Sequence, residues 1–148
     1  MEWGYVIGLL GLGLCVLLCG IGSAVGLKKT GQAAAGILSE DPKKFSQALV
    51  LVVLPATQGI YGFVFGIIGL SSCHVGMTIY AGLQIFLAAL PLAVIGMFSA
   101  MFQGATAVSC IYAVSKKESL SGKLILFPAM VETYAILALV ISLLLMSA

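Results

Sequence analysis

Four apolar stretches, each long enough to cross a bilayer, take up most of this 148-residue chain. They run from about Trp3 to Leu27, from about Gln47 to Leu70, from a start between Gly76 and Gly82 to beyond Gln103, and from about Leu124 to Met146. A span needs about 20 mainly apolar residues. In hydrocarbon every backbone N–H and C=O must be satisfied within the segment, so each stretch reads as a helix. With 61% hydrophobic and 8% charged residues, against roughly 25% charged in soluble domains, the chain is an all-α membrane protein of four transmembrane helices.

The charges fall in few places: Glu2, Lys28 to Lys44, Lys116 to Lys123, and Glu132. The net charge of +2 therefore marks loops, with no basic surface for nucleic acid. The positive-inside rule puts both lysine-bearing loops in the cytoplasm, with the termini and the Ser71 to Gly82 connection outside. The opening M-E-W-G-Y carries an acid where a secretory signal carries basic residues, and the apolar run continues to Leu27, so it reads as a retained helix. Cys15, Cys19, Cys73 and Cys110 lack any C-x-x-C spacing, and three of them lie in apolar runs where cysteine behaves as a small hydrophobe, so packing is favoured over redox or metal roles.

The first span carries glycines at 4, 8, 11, 13, 20, 22 and 26, with G-x-x-x-G at Gly4/Gly8 and Gly22/Gly26. Small residues let helix backbones approach closely in lipid, where packing drives association. Glycines pointing around much of the helix fit an element crowded on several sides; an ordinary helix-pair contact is the simpler alternative. A shift of 73 residues superposes Lys43-Lys44 on Lys116-Lys117, Pro55-Ala56 on Pro128-Ala129, Tyr61 on Tyr134, Gly31 on Gly104 and Ala34 on Ala107. The chain is therefore two duplicated helical hairpins, residues 1–73 and 74–148, within one membrane domain. Glu132 falls on Gly59, so the first hairpin has no corresponding carboxylate.

Glu132 stands inside an apolar run that continues to the C-terminus. A charge at the bilayer centre costs about 2.5–3.5 kcal/mol on insertion scales, which makes an intramembrane carboxylate a functional candidate by default. In L-P-A-T-Q-G-I-Y, residues 54 to 61, Thr57 and Gln58 lie three or four residues from Tyr61, on one side of a helix. Pro55 disturbs the preceding turn and can free a carbonyl oxygen. With Gln103 and Glu132 the set offers a hydroxyl, two amides and a carboxylate, the oxygens a hard cation prefers. The plain alternative is interhelical hydrogen bonding. His74 reads as a solvated loop residue. Depth sets a condition: with the outer turn centred on Ser71 to His74, Leu90 would be level with Gln58, about 20 Å of helix away from Gln103. For the amides to meet, the second helix continues past Ser72 or the connection stays loose as far as Gly82.

These residues resemble a known family, the duplicated four-helix proteolipids of V-type ATPases, especially those of bacterial sodium-translocating enzymes. The similarity covers essentially the whole chain: I-G-S-A-V-G from Ile21, T-G-Q-A-A-A from Thr30, L-P-A-T-Q-G-I-Y-G-F from Leu54, F-Q-G from Phe102 and M-V-E-T-Y-A-I-L from Met130. The resemblance implies a non-catalytic subunit, assembled as a rotor ring of identical copies in the cell membrane. Helices one and three would be inside and two and four outside, with lipid around them. It implies Na+ as the transported ion, held by the Leu54 carbonyl, Thr57, Gln58, Gln103 and Glu132, with Tyr61 bonding to the carboxylate. It also implies a static membrane subunit bearing an arginine, and central-stalk subunits at the cytoplasmic loops. The alternatives are the same ring carrying H+ and a small multidrug-type transporter; the latter carries its acid in the first helix and lacks the duplication.

Overall fold

The computed structural model describes residues 2 to 148. Four long helices account for nearly all of them: α1 (Trp3–Glu40), α2 (Pro42–Leu70), α3 (Ile79–Lys116) and α4 (Glu118–Ser147), each apolar enough to cross a membrane. α1 does not stop at Leu27, the expected end of the span. The sequence after Lys28-Lys29 meets no proline before Asp41-Pro42, and the helix runs through Gly31 and Gly36 with Ala33, Ala34 and Ile37 buried. Asp41 is extended, at φ −144° and ψ 96°, as a residue before proline prefers, and its side chain accepts the Lys43 N–H. At about 1.5 Å per residue α1 is about 57 Å long, well beyond a hydrocarbon core of about 30 Å. Its end therefore stands clear of the apolar layer and carries the lysines with it.

α1 and α3 run parallel and form the centre of the bundle. Gly22 lies against Met97, and Gly26 against Ala100 and Gly104. A Cβ on Gly22 would come within 2.6 Å of the Met97 Cα, and one on Gly26 within 2.7 Å of the Ala100 carbonyl oxygen. Backbone atoms cannot yield as a side chain can, so these glycines set the separation of the two helices. Gly13 and Gly20 face open space; the other five glycines of the span all approach the third helix or the connection before it, so most of the glycine pattern serves one intramolecular contact. α2 runs antiparallel along α1, with Gly59 near Ser23, Gly62 near Cys19 and Gly69 near Leu12. α4 runs antiparallel along α3. Cys15, Cys19 and Cys110 are buried in the cores of these pairings.

The outer connection differs from one of the two expected forms. α2 ends at Leu70 and does not continue past Ser72; residues 71–78 carry no helix, and α3 begins at Ile79. Leu70 lies about 18 Å of helix beyond Gln58, whereas Ile79 lies about 36 Å before Gln103. α3 thus overhangs α2, and the loose connection climbs back along it. The connection is pinned at Gly76, whose N–H donates to Glu2 Oε2 at 2.9 Å and whose φ of +91° is open to glycine and strained for other residues.

Large apolar side chains line the exterior, among them Leu10, Leu17, Phe63, Ile67, Phe102, Leu137 and Leu144. An exterior of this kind is stable only against lipid or other helices.

Candidate functional site

Pro55 shapes the first wall of the site. It cannot donate to the helical ladder, and α2 tightens to a three-ten turn over Leu54–Ala56 before resuming at Thr57. Within that turn the Leu54 carbonyl accepts from the Thr57 hydroxyl at 3.0 Å. Thr57 Oγ1 also lies 3.2 Å from Gln58 Oε1, so its single proton is shared between that oxygen and the Leu54 carbonyl. Gln58 is fully buried and points from α2 toward α3, where its Nε2 donates to Gln103 Oε1 at 2.8 Å.

Gln103, equally buried, continues the chain of contacts to α4. Its Nε2 donates to the Pro128 carbonyl at 3.1 Å and to Glu132 Oε2 at 3.3 Å. The other carboxylate oxygen of Glu132 accepts from Tyr61 Oη at 2.5 Å, which returns the circuit to α2. Leu54, Thr57, Gln58, Gln103, Glu132 and Tyr61 are therefore brought together, from three helices, around one carboxylate. Thr57, Tyr61 and Glu132 are half-buried, so the circuit opens between α2 and α4 beside the exposed side chains of Ile60, Met130 and Tyr134.

The arrangement holds one formal negative charge amid neutral oxygens in an apolar surround. A carboxylate there is costly unless a cation or a proton neutralises it. The oxygens of Thr57, Gln58 and Gln103 and the Leu54 carbonyl are hard, neutral donors of the kind that suits a hard cation, and a proton needs none of them.

Ser99 belongs to the site although its residue type does not mark it out in the sequence. Buried on α3, one turn before Gln103, it accepts from Gln58 Nε2 at 3.3 Å and donates to the Val131 carbonyl at 3.0 Å. Its i, i+4 spacing from Gln103 is the one available signal. In the first hairpin, Ser23 accepts the Gly59 N–H at 2.8 Å, so the position corresponding to Glu132 is filled by a packing contact. His74 lies in the outer connection, away from the site.

The family model for the C subunit of ATP synthase matches the chain twice, over residues 10–69 and 86–145. The chain is 44% identical over 142 residues to the V-type sodium ATPase subunit K of Enterococcus hirae, covering 96% of this chain and 91% of that relative. It is 39% identical over 141 residues to the A-type ATP synthase subunit K of Methanocaldococcus jannaschii, covering 95% of this chain and 62% of that relative, so it spans less than two thirds of the archaeal protein. Two matches in one chain, four apolar helices and a circuit of polar groups around a membrane carboxylate agree: the chain belongs to the ATP synthase C-subunit family in its duplicated-hairpin form, and is a multi-pass proteolipid of a V/A-type ATPase.

Proposed function

We propose that this protein carries Na+ across the membrane, bound at Glu132 with the Leu54 carbonyl, Thr57, Gln58 and Gln103 as further ligands and Tyr61 supporting the carboxylate. The observation that carries this reading is the continuous hydrogen-bonded chain that gathers the oxygens of Leu54, Thr57, Gln58 and Gln103 beside Glu132. The sodium ATPase subunit from Enterococcus hirae supports it. Identical copies form a ring, each chain contributing two hairpins, residues 1–73 and 74–148, with α1 and α3 inside and α2 and α4 outside. The ring is a non-catalytic rotor driven by ATP hydrolysis in a soluble part of the complex.

Charge couples rotation to transport. With Na+ bound, Glu132 is formally neutral and its face, open between α2 and α4, can pass through lipid. The empty carboxylate would cost about 2.5–3.5 kcal/mol or more there and is held beside a cation of the static membrane subunit, an arginine. Both lysine-bearing loops face the cytoplasm and meet the central stalk; the termini lie outside.

Carbodiimide labelling of the assembled ring tests the assignment. The reagent modifies Glu132, and Na+ slows the modification where the same concentration of K+ does not. Labelling indifferent to Na+ would make this a proton-carrying ring, and labelling that spares Glu132 would remove the carboxylate from its role.

A further inference from the structure

We propose that Ser99 is a positioning residue for the ion site, holding the Gln58 amide with its carbonyl oxygen turned toward Thr57. The inference rests on the proposed sodium-binding reading of that site. Ser99 is only 5% exposed, and its hydroxyl has one proton to give. That proton goes to the Val131 carbonyl at 3.0 Å, on the residue that precedes Glu132. What Ser99 presents to Gln58 is therefore a lone pair.

The two ends of a glutamine amide are nearly the same size and opposite in hydrogen-bonding sense. A lone pair at Ser99 selects Nε2, 3.3 Å away, and so directs Oε1 to the opposite side, where Thr57 Oγ1 lies at 3.2 Å. With the amide turned over, Oε1 would face the oxygen of Ser99 and Nε2 would point into the proposed ion site, where an N–H repels a cation.

Gln103 Oε1 also accepts from Gln58 Nε2, at 2.8 Å. Its orientation is set in turn by two acceptors, the Pro128 carbonyl and Glu132, both bound to Gln103 Nε2. Gln103 Oε1, however, is one of the proposed cation ligands, and a bound ion draws on its lone pairs. Ser99 is the acceptor for Gln58 that stands outside the ligand set, so it keeps the amide turned in both the loaded and the empty site. A ligand already turned toward the ion saves the cost of reorienting it on binding.

The test measures the Na+ concentration that half-protects Glu132 from carbodiimide in purified rings. Rings of the unaltered chain, Ser99→Ala, Ser99→Cys, Gln58→Ala and the Gln58→Ala/Ser99→Ala double variant are compared. Ser99→Ala and Ser99→Cys raise the half-protecting concentration about three- to tenfold, the worth of one neutral hydrogen bond. In the Gln58→Ala background, Ser99→Ala adds less than about twofold, because the amide it orients is gone. General loosening of the helices would multiply the two effects instead. Cysteine keeps the shape of serine with a somewhat larger atom and accepts hydrogen bonds weakly, so it carries the test if the cavity left by alanine impairs assembly. Unchanged half-protection in both Ser99 variants, or full multiplication in the double variant, overturns the proposal. If Na+ fails to protect the unaltered ring, the sodium reading itself fails, and this inference falls with it.

Discussion

Tyr61 of α2 and Glu132 of α4 meet at 2.5 Å, the phenol donating to one carboxylate oxygen while Gln103 Nε2 donates to the other at 3.3 Å. Each oxygen of the carboxylate is thereby held from a different helix. The phenol thus fixes the orientation of the carboxylate, and a ligand already oriented saves the cost of ordering it when an ion binds. Tyr61→Phe is expected to raise the half-protecting Na+ concentration by up to about tenfold while transport continues. A variant that binds Na+ as the unaltered ring does would show the phenol to be irrelevant to loading.

Glu132→Gln should abolish ion transport and leave the protein inserted and assembled. The amide keeps the volume of the carboxylate and can still bond to Tyr61 and Gln103, but it has no charge with which to neutralise a cation. Sodium uptake or extrusion coupled to ATP hydrolysis that survives this change would contradict the assigned role.

Thr57→Val separates a sodium site from a proton site. The substitution keeps the shape of the side chain and removes one oxygen from a position 3.0 Å from the Leu54 carbonyl. Because a proton on Glu132 does not require that oxygen, Na+ binding should weaken about tenfold, by roughly the worth of one ligand hydroxyl, while labelling of the Na+-free carboxylate keeps its rate. The measurement is carbodiimide labelling with and without Na+. Equal weakening of both would point to a distorted helix.

The four spans and the membrane carboxylate were legible because burial in lipid leaves a coarse signal: long apolar runs and rare charges. Bringing Gln58 to Gln103 was legible only as a condition on depth. The structure meets it by letting α3 overhang α2 and by a loose connection through Thr78, a solution that depends on where Gly4 and Gly82 let α1 and α3 pack. The continuation of α1 to Glu40 escaped the hydropathy argument, since it rests on the packing of Ala33, Ala34 and Ile37 against the neighbouring helices and not on apolar length. Ser99 escaped because serine is common in membrane helices and its role depends on which neighbour receives its proton.

Cys73 offers a reading of orientation. It lies in the outer connection, whereas Cys15, Cys19 and Cys110 are buried, and its own partial burial raises its thiol above the usual range. Thiolate is the reactive form, so a membrane-impermeant maleimide should label Cys73 slowly near neutral pH and faster as pH rises. Labelling should come only from the side opposite the lysine-bearing loops. Reaction from the cytoplasmic side would invert the proposed topology.

The single carboxylate per chain sets a gear ratio. Gly59 occupies the position that corresponds to Glu132, so under the proposed function a four-helix chain would carry one ion where two single-hairpin chains would carry two. For a ring with a given number of helices, that halves the ions moved per turn. Moving one charge against 100 mV takes about 2.3 kcal/mol, so fewer ions per ATP let the same hydrolysis energy work against a steeper gradient, which suits a pump expelling sodium. Installing Glu at Gly59 tests this, but a Cβ there would lie 3.0 Å from Ser23 Oγ and 3.2 Å from its Cβ. Ser23→Gly clears that space, and glycine is the residue at the corresponding position, Gly96. The Gly59→Glu/Ser23→Gly ring should take carbodiimide at two carboxylates per chain and sustain about half the maximum gradient, since the energy per ion is divided between twice as many ions. A ring with two working sites per chain and an undiminished maximum gradient would end the argument from gear ratio.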